Sequence, residues 1–150
     1  MTGKVNQEYE VIIIGGGPAG LAAGLYTSRA RLSSLLIERG LVGGQIADAE
    51  LVENYPGFAQ GISGLELGQS MHQQATKYGL NTVIAEATGI ELKGEKKVVK
   101  TSKGNFTTKA VIIASGSERR KLGIPERRNS PGGGYLTALP VMLPFSKKSQ

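Results

Sequence analysis

An α/β fold built on a parallel sheet is what this sequence predicts, and three observations predict it. Short runs of consecutive apolar, mostly β-branched residues recur along the chain, at 9–15, 34–38 and 110–115. Apolar side chains at successive positions suit strands buried on both faces, as parallel strands are. The first run passes directly into a glycine-rich turn and a helical segment before the second begins, which is the order of a βαβ unit. Finally, 22 of the 150 residues are glycine, roughly twice ordinary usage, so backbone geometry is where to look for specificity.

Each element follows from local chemistry. Residues 9–15 form the first strand, and Gly15-Gly16-Gly17-Pro18-Ala19-Gly20 the turn after it. Pro18 fits the opening turn of a helix over 21–29, because its missing N–H has no partner there in any case. Gly24 lies inside that helix and is expected to weaken it by up to about 1 kcal/mol. Ser34–Glu38 is a second apolar strand that ends in an acid. Residues 41–61 show little periodicity and read as a loop. A helix is predicted over 63–78, with Leu65, Met71, Ala75 and Tyr78 on its buried side and His72 at the surface or boundary. A short strand follows at 81–85. Segments 88–92, 97–101 and 105–109 alternate polar and apolar residues between glycine turns, and predict a three-stranded antiparallel meander with one wet face. Residues 110–115 are again a fully apolar strand, closed by Gly116.

Composition excludes several functions. There is no cysteine, hence no disulfide, thiolate metal site or thiol nucleophile, and a single histidine rules out any two-imidazole site. No catalytic residue and no metal-ligating set is assigned. The net charge of +6 is uneven: residues 1–125 hold 14 basic and 11 acidic side chains, and the remaining 25 hold four and one. In the main body the two signs alternate, aromatics are sparse, and no recognition helix is visible, so nucleic acid is not an expected partner. The acids Glu8 and Glu10 precede the first apolar run, and no apolar run approaches the roughly 20 residues a membrane span needs. A soluble, cytoplasmic chain with no membrane partner is expected.

Gly15-x-Gly17-x-x-Gly20 has dinucleotide-binding spacing. The first glycine permits the tight turn, the second lets the backbone approach a pyrophosphate, and the third lets helix and strand pack closely. Orphan N–H groups at the helix start, with Pro18 and Ala19 in its first turn, then favour the phosphate charge. The bare spacing is weakly specific. Here a strand precedes it, a helix follows it, and Glu38 lies 18 residues beyond Gly20 at the next strand's end. The Glu38 carboxylate is placed to accept hydrogen bonds from the adenosine ribose, and as an anion it would repel a 2′-phosphate. The prediction sharpens to a Rossmann-type FAD/NAD(P)-binding domain.

Further motifs point to a family. Gly15-Gly16-Gly17-Pro18-Ala19-Gly20, Gly43-Gly44-Gln45-Ile46, Glu53-Asn54-Tyr55-Pro56-Gly57, Ala114-Ser115-Gly116 and Gly123-Ile124-Pro125 occur in the order seen in bacterial thioredoxin reductases. The chain resembles that low-molecular-weight group of pyridine nucleotide-disulfide oxidoreductases over about residues 8–125. Related alkyl-hydroperoxide and ferredoxin–NADP reductases share the group. The resemblance implies FAD as cofactor. It places Gln45 and Asn54 beside the flavin end, Val83 near the adenine, and Gly116 at the second nucleotide-contacting strand, and it counts Gly44 among the cofactor-binding residues. Ser115 stands where the family commonly has threonine. In intact relatives NADPH reduces the flavin, the flavin reduces a Cys-x-x-Cys disulfide, and the dithiol reduces thioredoxin, in a protein that is commonly a homodimer.

The resemblance fades after Pro125, where Cys-x-x-Cys and an NADPH site would be expected. Four of the six prolines lie from Pro125 to Pro144, and Pro131 is followed by three glycines. Residues 135–144 can be written with synonymous codons which, read two bases on, give Ser-Tyr-Cys-Ala-Thr-Cys-Asp. The expectation is a frameshift near Pro125, in the gene or in its reading. Residues 1–125 would then be an incomplete FAD domain, unable to sustain full turnover, and 126–150 a non-homologous, disordered tail. The alternative is a stand-alone FAD/NAD-binding module, or a ferredoxin–NADP reductase-like flavoprotein without dithiol chemistry.

Overall fold

The computed structural model describes residues 7–117. The Pro125 boundary and the tail at 126–150 lie outside them. In chain order the elements are β1 (Gln7–Ile14), α1 (Pro18–Arg29), β2 (Ser34–Glu38), a 3-10 turn (Gly44–Asp48), α2 (Gly64–Lys77), β3 (Asn81–Ile84), β4 (Ala87–Lys93), β5 (Lys96–Thr101) and β6 (Gly104–Ile113). The strands form one six-stranded sheet in the order β3-β2-β1-β6-β5-β4. β3, β2, β1 and β6 are parallel neighbours, whereas β6, β5 and β4 are antiparallel.

One correction concerns β6. The two segments predicted at 105–109 and 110–115 are a single strand that belongs to both halves of the sheet. It pairs antiparallel with β5 over Gly104 to Thr108, and parallel with β1 from Phe106 to Ile113. The switch from alternating to continuous apolar character thus marks a change of neighbours and not a break in the chain. Thr108 sits at the changeover, fully buried, and its hydroxyl lies 3.0 Å from the Glu10 carbonyl and 2.9 Å from that of Ala110.

The core lies on both faces of the sheet, because successive strand residues point to opposite sides. Val11, Ile13 and Leu36 pack with Leu21 of α1, Ala75 of α2 and Leu80. Ile12, Leu35 and Ile37 face the other way and meet Val99 and Phe106, so the antiparallel arm folds across the face opposite the helices. Each such fully buried aliphatic contributes about 1.5–3 kcal/mol. The arm's ion pairs, Glu8–Lys96, Glu91–Lys100 and Glu10–Lys109, are solvent-exposed and worth about 0–1 kcal/mol apiece. Packing, not charge, therefore holds the arm.

Both helices begin as their sequences demand. α1 starts at Pro18 with Gly17 as its N-cap. α2 is capped by Ser63: its hydroxyl accepts the Glu66 N–H at 3.2 Å and donates to the Glu66 carboxylate at 2.9 Å. Its buried stripe runs through Gly64, Leu67, Gly68 and Ala75, with Met71 half-buried beside it. Two predicted core residues fall off this stripe. Leu65 is 42% exposed, one position away from it, and Tyr78 is 46% exposed at the C-cap, with the Arg29 guanidinium 5.4 Å from its ring centre. His72 is half-buried, its Nε2 2.9 Å from Thr82 Oγ1. Gly24 serves packing: a Cβ there would stand 2.6 Å from Leu80 Cδ2. The predicted loop at 41–61 contains the 3-10 turn, and its Val52 makes an antiparallel bridge to Ile62 just beyond it.

Candidate functional site

At β1 the strand order reverses, with β2 and β3 added on one side and β6 on the other. Connections leaving adjacent strands diverge there, and open α/β sheets take ligands in the resulting crevice, past the carboxyl ends of the strands. A cleft of about 820 Å³ opens at this place. Its walls come from the loop after β1 (Gly15, Gly17, Pro18, Ala19), the end of β2 (Ile37 to Leu41), the 3-10 turn (Gly44 to Ile46), the β3–β4 junction (Ala85 to Ala87) and the segment after β6 (Ala114 to Ser117). That volume falls within the roughly 300–1,000 Å³ usual for small-molecule sites.

One end of the cleft is made of backbone. Gly15 has φ +107, and a Cβ there would collide with the Ala114 carbonyl at the end of β6. A Cβ on Gly20 would be driven into the Gly15 carbonyl, so this glycine, itself buried and outside the cleft, sets how closely α1 meets the turn. No side chain caps the start of α1 and no acid lies in its first turn. The positive end of its dipole is thus not neutralised by the helix itself, which suits a phosphate. The second glycine pair closes over the first: the Gly43 N–H donates to the Gly16 carbonyl at 2.8 Å, and a Cβ on Gly44 would stand 3.1 Å from Gly17 Cα.

Glu38 stands beside this cradle at the end of β2. Its Oε2 accepts the Gly16 N–H at 2.5 Å and its Oε1 the Gly40 N–H at 2.8 Å. Two backbone donors therefore fix the carboxylate, while each oxygen keeps a further lone pair for a ligand hydroxyl. Its charge at the cleft wall disfavours an additional phosphate. Two acids are held below the ordinary 4.5, Glu10 chiefly by the backbone N–H of Ser33 and Glu91 chiefly by its hydrogen bond from Lys100. Neither lines the cleft. Among the described residues no three side chains gather as metal ligands, and no helix is long and apolar enough to cross a membrane.

The structure brings together Gly15, Gly17, Pro18, Ala19, Glu38, Gly44, Gln45 and Gly116 of the predicted set. Gln45 lines the cleft, and its amide donates to the Ser117 carbonyl, joining the 3-10 turn to the segment after β6. Asn54 is exposed in its loop and is not among the lining residues. Val83 also stands outside the lining, packed on the apolar cluster beneath the antiparallel arm. The lining residues on that side are Ala85, Glu86 and Ala87, which, with Arg39, Asp48 and Ser117, sequence reasoning did not single out. A usable signal existed: a ligand at strand ends meets residues after β3 rather than within it.

The family model described as "Pyridine nucleotide-disulphide oxidoreductase" matches residues 9–144. The match runs past Pro125, where the motif reading ended. Thioredoxin reductase of Bacillus subtilis (strain 168) is 48% identical over 126 residues, which are 84% of this chain and 40% of that protein. The crystal structure of Lactococcus lactis thioredoxin reductase in its FR conformation superposes with a TM-score of 0.74 at 44% identity, covering 78% of this chain and 38% of that one. A ferredoxin-flavin thioredoxin reductase from Clostridium acetobutylicum gives 0.68 at 30% identity, over 77% and 40% of the two chains. The chain thus spans about two fifths of the length of these relatives.

Proposed function

Because the chain belongs to the pyridine nucleotide-disulphide oxidoreductase family, we propose that its described residues are the FAD-holding part of a thioredoxin-reductase-like flavoprotein. The observation that carries this reading is the double glycine cradle, Gly15 to Gly17 against Gly43 and Gly44, set between the start of α1 and the fixed carboxylate of Glu38. A cleft wall of side-chain-free backbone at the uncapped start of α1, with an oriented acceptor beside it, fits the ADP half of FAD. The first-turn amides of α1 hold the pyrophosphate, Glu38 takes the ribose hydroxyls, and Ala85 to Ala87 border the adenine. Gln45 orients the flavin end.

With FAD in place the chemistry supplied is two-electron transfer, from NADPH toward a disulfide and onward to thioredoxin in whole members of the family. This chain contributes binding and orientation. It has no cysteine to accept electrons, so thioredoxin turnover by this chain alone is not part of the reading. A second reading, a nucleotide-binding or ferredoxin-linked flavoprotein without dithiol chemistry, draws on the same absence of cysteine.

Reconstitution tests the choice. The purified chain passed over a desalting column after incubation with FAD should emerge yellow, and Glu38→Gln should bind the cofactor about tenfold more weakly, near 1.4 kcal/mol. A colourless chain that binds NADH would overturn the FAD assignment in favour of a nicotinamide-binding module. NADPH-dependent reduction of thioredoxin by the chain alone would overturn its assignment as a binding part. The frameshift proposed near Pro125 is tested by sequencing the gene across codons 120–150: a coding strand with no Cys-x-x-Cys in any frame removes it.

A further inference from the structure

We propose that Gly64 and Gly68, on the buried side of α2 and outside the cleft, are positioning residues for nucleotide binding. The inference rests on the FAD reading above and extends it to a helix that does not line the cleft. The two glycines lie one helical turn apart and face the segment that carries the second glycine pair. A Cβ on Gly68 would stand 2.8 Å from Gly43 Cα, 3.6 Å from the Val42 carbonyl oxygen and 3.7 Å from Gly43 N. At Gly64 it would be driven into the Ile46 carbonyl and stand 2.9 Å from that of Ala49, to which the Gly64 N–H donates at 2.9 Å. The atoms met at both positions are backbone, which cannot swing aside as a side-chain tip can.

The layers are continuous. α2 touches the turn through Gly64 and Gly68, and the turn touches the phosphate loop through Gly43 N–H to Gly16 O and through Gly44 against Gly17. The turn sits between α2 on one side and the phosphate loop on the other, bonded to the latter at Gly43 and in contact with it at Gly44, so a push from α2 has the phosphate loop to act on. Displacing the turn by a few tenths of an ångström moves the Gly44 and Gln45 wall relative to Gly17. Close-packed interiors transmit such shifts instead of damping them.

Gly68→Ala separates positioning from mere structure, because the two act in opposite directions. Alanine is the better helix former, so α2 itself gains from the change, while the wall of the cleft is displaced. The expected result is FAD affinity lowered about tenfold by flavin fluorescence quenching, with the thermal midpoint of the FAD-free chain lowered no more than by Gly24→Ala, a packing change outside the cleft that should leave affinity unaltered. Gly89→Ala in β4, where a Cβ meets nothing within 4 Å, should bind as the unaltered chain does. Unaltered FAD affinity in a folded Gly68→Ala chain would overturn the inference and leave the FAD reading standing. Failure of the unaltered chain to bind FAD would overturn both. Should the variant not fold, hydrogen exchange on the unaltered chain decides: FAD should slow exchange of the amides at 64–70, and unchanged exchange there with protection confined to the cleft would overturn the inference.

Discussion

The two ends of the cleft are built from different materials. At the phosphate end five glycines bring backbone against backbone: Gly15 against Ala114, Gly16 bonded to Gly43, Gly17 under Gly44, and Glu38 pinned by two N–H groups. Where the resemblance would put the flavin, two side-chain amides are the features the motifs single out, and of these Gln45 lines the cleft whereas Asn54 does not. A wall of backbone has its geometry fixed by φ, ψ and van der Waals contact. A wall of side chains depends on rotamers and on whatever each amide bonds to, here the Ser117 carbonyl for Gln45. The phosphate end should therefore be intolerant of small changes and the other end forgiving.

Gly20→Ala offers the severest way to break that contrast. The added Cβ has only the Gly15 carbonyl to enter, and either α1 or the turn must move. Overpacking against backbone is expected to cost about 3 kcal/mol in urea unfolding and to abolish FAD binding. A stable Gly20→Ala chain with full affinity would show that the phosphate end is softer than its geometry indicates.

Gly24→Ala, one turn along α1, sharpens the comparison, because there the obstacle is a side chain. Helix propensity favours alanine by up to about 1 kcal/mol. Against it, Leu80 is 3% exposed, and its Cδ2 would lie 2.6 Å from the new carbon. Repacking strain of about 1–3 kcal/mol exceeds the gain, so a net loss near 1 kcal/mol is expected in urea unfolding, with FAD affinity retained. Gln45→Ala and Asn54→Ala address the forgiving end as a pair. The first should weaken FAD about threefold while leaving ADP binding unchanged, and the second should change neither, both read by calorimetry. A larger effect from Asn54 than from Gln45 would mean that its loop closes onto the bound cofactor.

The smallest effect is one of pH. Glu10 is held below the ordinary 4.5 by the Ser33 N–H at 3.1 Å, with Lys109 at 3.5 Å adding to it. A depressed carboxyl stabilises the fold above its unfolded value and loses that contribution as pH falls through its folded one. Stability should therefore decline slightly on acidification below about 4.5, and Glu10→Gln should flatten that part of the profile in thermal melts. Because Glu10 lies outside the cleft lining, FAD affinity in the variant should not change.

What the sequence revealed follows the same division of materials. The Gly15–Gly17–Gly20 turn, the Ser34–Glu38 strand and the role of Pro18 were legible because backbone constraint selects residue type at fixed positions. Val83 shows the opposite: the strand was legible, but which of its residues faces ligand depends on where the neighbouring strands end. Tyr78 and Leu65 suited a helix core by type, and only the docking of α2 through Gly64 and Gly68 reveals that they lie off its buried stripe. The unity of β6 escaped notice because its residue pattern changes midway, exactly as its neighbours do.

That shared strand also governs the order in which the chain can fold. Glu10 and Thr108, joined by a hydrogen bond, stand 98 positions apart, so the central strand waits for its second partner until nearly the whole described chain is available. Pairings of such range are slow to form, because loop closure precedes the contacts that reward it. On the ribosome β1, α1 and β2 would emerge with one flank of β1 bare, exposed to wrong pairing until β6 arrives. Since β6 also carries the antiparallel arm, its arrival would close both faces of the core in one event, and the sheet should open to hydrogen exchange as a single unit.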